Sequence, residues 1–134
     1  MPRRRLRIVQ KIMRRGAAVR AISTMPPADY RDQEMRRARV ILQLRVHNKM
    51  GLVSSSRCAT ALHFGRPVVA EPHELSDYWR DIIHFSKSES SLVEEAFMVR
   101  SLWKQFYEKQ MAQFRKIMSP ERCIGEPLAR LGIG

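Results

Sequence analysis

Three consecutive serines followed by an arginine, Ser54-Ser55-Ser56-Arg57, form the densest group in this sequence suited to holding an anion. Hydroxyls donate hydrogen bonds and a guanidinium adds charge in a planar fork that matches phosphate oxygens. The loop before them, His47 to Leu52, and a second loop, Glu71-Pro72-His73-Glu74, carry further polar groups. Two roles are open to Arg57: binding a phosphate, or pairing with Glu71 or Glu74. His47 and His73 are the histidines to test as a general base, the alternative for each being a solvated loop residue. No two of His47, His63, His73 and His84 have an HxxxH or HExxH spacing, so a metal centre is not expected. Cys58 and Cys123 stand 65 residues apart, which excludes a CxxC pair or zinc knuckle, and Cys58 falls on an apolar helix face as a core residue does.

Such a group acts only if secondary structure aims it. Leu6, Val9, Ile12 and Met13 have helical spacing and Gly16 is a stop signal, predicting a helix over Arg4 to Arg15. Ala18 to Ile22 alternates and is followed by Pro26-Pro27, predicting a short strand. A weakly amphipathic helix is expected from Asp29, as N-cap, to Ala38, then a strand over Val40 to Val46. The serines cap a helix carrying Cys58, Ala61 and Leu62 that Gly65 closes, and Val68-Val69-Ala70 is a buried strand. Ser76 to Phe85 fits either a helical stripe through Tyr78, Trp79, Ile82 and Ile83 or a strand at its end, with Ile83 to Phe85 preferred as strand. Ser91 and Glu94 have capping-box spacing and open a long helix, with a kink allowed, that runs to Pro120. Its stripe of Trp103, Phe106 and Phe114 reads as core, the alternative being a subunit contact.

Alternation of this kind predicts an α/β fold with a parallel sheet of about four strands flanked by helices, with a long C-terminal helix. Ligands of open parallel sheets bind beyond the carboxyl ends of the strands, which selects the Ser54 and Glu71 loops. Helix amides and dipole at the serines favour a phosphate or pyrophosphate there.

The formal net charge is +12, and Met1 to Ala28 holds eight bases and no acid. A positive potential of this size attracts phosphates, nucleic acid or anionic lipid. Nucleic acid or ribosome binding through the N-terminus is therefore the rival functional expectation, although the aromatic residues are not interleaved with that basic cluster. Its Arg-rich, acid-free pattern also describes a mitochondrial targeting peptide, the surface helix of a basic domain being the preferred reading. No apolar run approaches the roughly 18 to 20 residues that span a bilayer, and cysteine usage suits a reducing compartment, so a cytoplasmic protein is expected.

Thr60-Ala61-Leu62-His63-Phe64-Gly65-Arg66-Pro67-Val68-Val69 resembles the "EAMACGxPVV" segment of GT-B glycosyltransferases. Ala38-Arg39-Val40-Ile41-Leu42 resembles the strand before it, and Arg57 with Val68-Val69-Ala70-Glu71 resembles an "R…L…VVSE" subgroup. The resemblance covers Val19 to Phe106 and implies the C-terminal domain that binds the nucleotide diphosphate of an activated sugar. It implies hexosyl transfer once an acceptor domain or partner completes the enzyme; a free-standing fragment, a degenerate paralogue or a subunit that docks on a partner also fits, and a homo-oligomer is open. The family's glutamate pair would fall at Leu52 and Thr60, where no acid stands, leaving Thr60 as a hydroxyl for a ribose. The expected nucleotide-sugar site is Ser54, Ser55, Ser56, Arg57, Thr60 and Glu71, with the sugar nucleotide as substrate and no resident cofactor. The expected organisation is a basic helix over 1–17, the Rossmann-like domain over 18–118, and a loosely attached tail over 119–134.

Overall fold

The computed structural model describes residues 3–20, 28–45, 53–73 and 79–118, and side chains within these ranges except those of 28–31. Helices α1 (Arg3–Arg14), α2 (Ala28–Arg37), α3 (Ser55–His63), α4 (Leu92–Ser101) and α5 (Trp103–Ile117) surround strands β1 (Ile41–Gln43), β2 (Val68–Ala70) and β3 (His84–Phe85). The strands form one parallel sheet in the order β1-β2-β3. Ile41 to Gln43 pair with Val68 to Ala70, and Val69 and Ala70 pair with His84 and Phe85.

The strand period of two divides the core. Val69 faces a cluster with Leu92, Ala96 and Val99, joined by Ile8 of α1 and Leu42 of β1. Val68 and Ala70 face the opposite cluster, with Cys58, Ala61, Leu62 and Trp79, against which Met111 and Phe114 of α5 pack. Helices α1 and α4 therefore cover one face, and α3 and α5 the other. Fully buried Leu62, Leu92, Val68 and Val69 are each worth roughly 1.5–3 kcal/mol of hydrophobic stabilisation.

Helix α3 follows the serine signal closely. Ser54 is its N-cap, accepting from the Arg57 amide at 3.4 Å. Gly65 closes it at φ +77, while the Gly65 and Arg66 amides donate to Leu62 and Ala61 carbonyls, the paired bonds of a Schellman stop. Gly16, at φ +89, ends α1 in the same left-handed region.

Several expectations are corrected. The strand predicted over Val40 to Val46 is three residues long, since the carbonyls of Leu44 and Arg45 accept from the Arg5 side chain and the Arg45 amide donates to Glu71. Side chains thus replace the ladder beyond Gln43. Ala18 to Arg20 belong to no strand, and Ala21 and Ile22 lie outside the described residues; the described residues hold three strands where about four were predicted. Helix α2 starts at Ala28, placing Asp29 inside the first turn where a cap was expected. In the stretch left open between helix and strand, Ser76 to Tyr78 lie outside the described residues, Trp79 to Asp81 form a 3-10 turn, and the strand expected over Ile83 to Phe85 is His84–Phe85. The long C-terminal helix is two helices, broken at Leu102 (φ −118, ψ 35) with neither glycine nor proline there. The predicted tail from Ser119 onward, including Cys123, lies outside the described residues.

Candidate functional site

Because β1 and β2 are parallel and α3 crosses between them, the start of α3 lies toward the carboxyl ends of the strands. Ser54, Ser55, Ser56 and Arg57 occupy that first turn, with Ser55, Ser56 and Arg57 exposed. Ser54 Oγ lies 3.2 Å from Ser56 Oγ, and Ser55 Oγ accepts from the Trp79 indole at 2.8 Å. The indole contact ties the turn before β3 to the start of α3. Among the described residues the amides of Ser55 and Ser56 meet no acceptor, and Arg57 has no ion-pair partner. Among the described residues no acid compensates the helix dipole at this end, where the Arg57 cation also stands, and such an end attracts an anion.

Thr60 lies one turn further, where its hydroxyl donates to the Ser56 carbonyl at 2.7 Å and keeps its acceptor capacity. It lines an open groove of about 610 Å³ between α2, α3 and α5, together with Asp32, His63, Phe64 and Phe114.

Glu71 occupies a different environment. It follows β2 directly, is fully buried, and receives both guanidinium nitrogens of Arg4, one of them at 2.6 Å, together with the Arg45 amide. The Arg45 guanidinium lies 3.8 Å away and also pairs with Glu89. Removal from water pushes the Glu71 carboxyl up, but hydrogen bonds from Arg4 and Arg45 and their charges outweigh this and hold it below the ordinary carboxylate range. The same contact raises the Arg4 guanidinium above its usual value. Glu71 is therefore the anchor for α1, and its ion-pair partners are Arg4 and Arg45 where Arg57 was one of the two readings. Glu74, the other acid considered for Arg57, lies outside the described residues, as do His47 and the loop to Leu52.

His73 is buried, with Nδ1 2.6 Å from the Glu71 carbonyl and its ring edge-on to Phe85, an interior position in place of the solvated loop histidine that was the alternative to a general base. His84 Nε2 meets Glu95 Oε1 at 2.9 Å, and Glu95 also accepts from Ser91 Oγ and the Lys87 amide. The carboxylate stands between serine and imidazole, so this trio does not carry the serine-histidine contact that activates a nucleophile. Burial lifts the Glu95 carboxyl, and the three hydrogen bonds with the His84 interaction overcome that to lower it. Cys58 is fully buried and its thiol is pushed up to about 12 by desolvation, which makes it inert. Among the described residues no three of His, Cys, Asp and Glu gather as a metal site would require.

Sequence reasoning missed Arg4, Arg5 and Arg45. A charged residue interrupting the apolar run Val40 to Val46 was the available signal for Arg45, while nothing local marks Arg4 as the partner of a residue 67 positions away. No family model matches the chain, and neither a curated protein nor a solved structure does.

Proposed function

We propose that this chain is a nucleotide-binding domain of the GT-B kind, holding the diphosphate of a nucleotide sugar at the start of α3. The observation that carries this reading is the exposed Arg57 beside first-turn amides that meet no acceptor among the described residues, on a helix that starts toward the carboxyl side of a parallel sheet. In it, Arg57 and the Ser55 and Ser56 amides bind phosphate oxygens, and the Ser54 and Ser56 hydroxyls add donors. Thr60 offers its oxygen lone pairs to a ribose hydroxyl. Glu71 contributes indirectly, by fixing the end of β2 through Arg4 and Arg45. A Rossmann-like classification with a fourth strand, a cytoplasmic setting and an acceptor-binding domain or partner for hexosyl transfer belong to the same proposal.

The test is a calorimetric titration with UDP, GDP and their sugar conjugates at near-physiological ionic strength, comparing the chain with its Arg57→Ala variant. Saturable binding that falls about tenfold in the variant, the scale of one charge-assisted hydrogen bond, supports the site. Equal affinity in the two proteins rejects it.

A further inference from the structure

Helix α1 presents two unlike stripes to solvent. Arg3, Arg7, Lys11 and Arg14 recur at spacings of four and three, are all exposed, and have no ion-pair partner among the described residues. Beside them, Leu6 and Met13 lie seven residues apart on one face and are 42% and 54% exposed. Val9, half-buried, falls between the two. The opposite side is committed to the domain: Ile12 is buried, Ile8 packs on the core, and Arg4 and Arg5 bond Glu71 and the carbonyls beyond β1. The other two exposed large apolar side chains of the described residues, Met98 and Leu102, lie at the end of α4, in the same layer as α1.

We propose that the outer face of α1 docks the domain on an anionic lipid surface, with the helix lying in the plane of the interface. Bases along one stripe match the negative charge of the headgroups, and Leu6 and Met13 enter the boundary beside them. Nucleic acid also answers the charge, but its phosphates give Leu6 and Met13 nothing to bury against. Their exposure next to the bases is what selects lipid. The helix is pre-formed and anchored through Glu71, so docking does not bear the ordering cost of folding a free peptide on a membrane.

The experiment is cosedimentation of the full chain with vesicles of phosphatidylcholine alone and of phosphatidylcholine mixed with phosphatidylserine. Binding to the mixed vesicles and none to the neutral ones is expected. Each base near an anionic surface changes partitioning about fivefold, so Arg7→Gln with Lys11→Gln and Arg14→Gln weakens binding about a hundredfold. Leu6→Ser with Met13→Ser, at unchanged charge, weakens it roughly tenfold through lost apolar burial. Removing equal charge from α5, by Lys109→Gln, Arg115→Gln and Lys116→Gln, leaves it within about twofold, because these residues are off the docking face. Circular dichroism of each variant checks that the fold is retained. The proposal is overturned by absence of binding to mixed vesicles, by equal loss in the α5 variant, or by full binding of the double serine variant. An RNA oligonucleotide bound equally by the parent and the double serine variant, with vesicle binding unchanged between them, identifies a polyanion surface in its place.

Discussion

Arg4, in the first turn of α1, places both of its terminal nitrogens on the carboxylate of Glu71 at the end of β2. The pair fastens the first turn of the basic N-terminal helix to the carboxyl end of β2, and it does so at a buried acid that also accepts from the Arg45 amide. Removing one member leaves the other side uncompensated. Glu71→Gln is expected to cost about 3 kcal/mol, the usual scale for breaking a buried ion pair, measured by urea denaturation. Arg57→Ala, at an exposed site without an ion-pair partner among the described residues, should leave stability within about 0.5 kcal/mol.

Acid stability follows from two carboxylates. Glu71 and Glu95 are both held below their ordinary values in the fold. Each binds a proton more readily when unfolded, so the stability each contributes is complete above the unfolded value of about 4.3 and is lost as pH falls through the lower folded value. Denaturation midpoints should be flat from about pH 7 to pH 5 and drop below about pH 4. In Glu95→Gln the drop should be shallower, since the amide has no carboxylate to protonate and keeps one accepting oxygen where Glu95 offers two to His84, Ser91 and the Lys87 amide.

Gln110 of α5 is buried, accepting from the Val68 amide at 2.8 Å and donating to the Val68 carbonyl at 3.1 Å. Strand β3 pairs with Val69 and Ala70, and the Val68 amide on that side bonds a side chain instead. Gln110→Leu should cost about 2 kcal/mol by stranding a buried amide, and the Val68 amide should lose hydrogen-exchange protection first.

Gly65→Ala separates backbone from packing. An added Cβ would have Tyr107 Cζ 3.9 Å away, an ordinary contact, while φ is +77. The expected loss is about 1 kcal/mol, the penalty of a left-handed alanine, read from the thermal midpoint. Gly16→Ala, with nothing within 4 Å at φ +89, should lose a similar amount.

Cys58 gives a test of core integrity. In a Cys123→Ser chain, its thiol should react with a water-soluble disulfide reagent at the rate of global unfolding, because the sulfur is fully buried and its ionisation is suppressed. Fast reaction in native buffer would contradict the packing of α3 on β2.

Elements with local chemical punctuation were legible in the sequence. Ser54 and Gly65 bracket α3 because cap and stop are settled within a few residues, and Val68-Val69-Ala70 reads as a buried strand from composition alone. The start of α3 was accordingly identified, whereas the role of Glu71 was not, since it depends on a partner 67 positions earlier in the chain. Glu94 shows the same limit. Its spacing from Ser91 suggests a capping box, yet it pairs with Arg15 of α1 and leaves the serine to Glu95. The break at Leu102 likewise has no breaker residue beside it, and in the helix that follows Phe106 joins the cluster on one face of the sheet while Tyr107, Met111 and Phe114 join the other.

That divided allegiance makes α5 a clasp. Helices on opposite faces of a sheet can in principle loosen one layer at a time, each as its own unit of opening. Here a single helix is stitched into both layers, and into the first residue of the central strand through Gln110. Neither layer can shed its covering without pulling on the other, so the sheet and both of its faces open as a single cooperative unit.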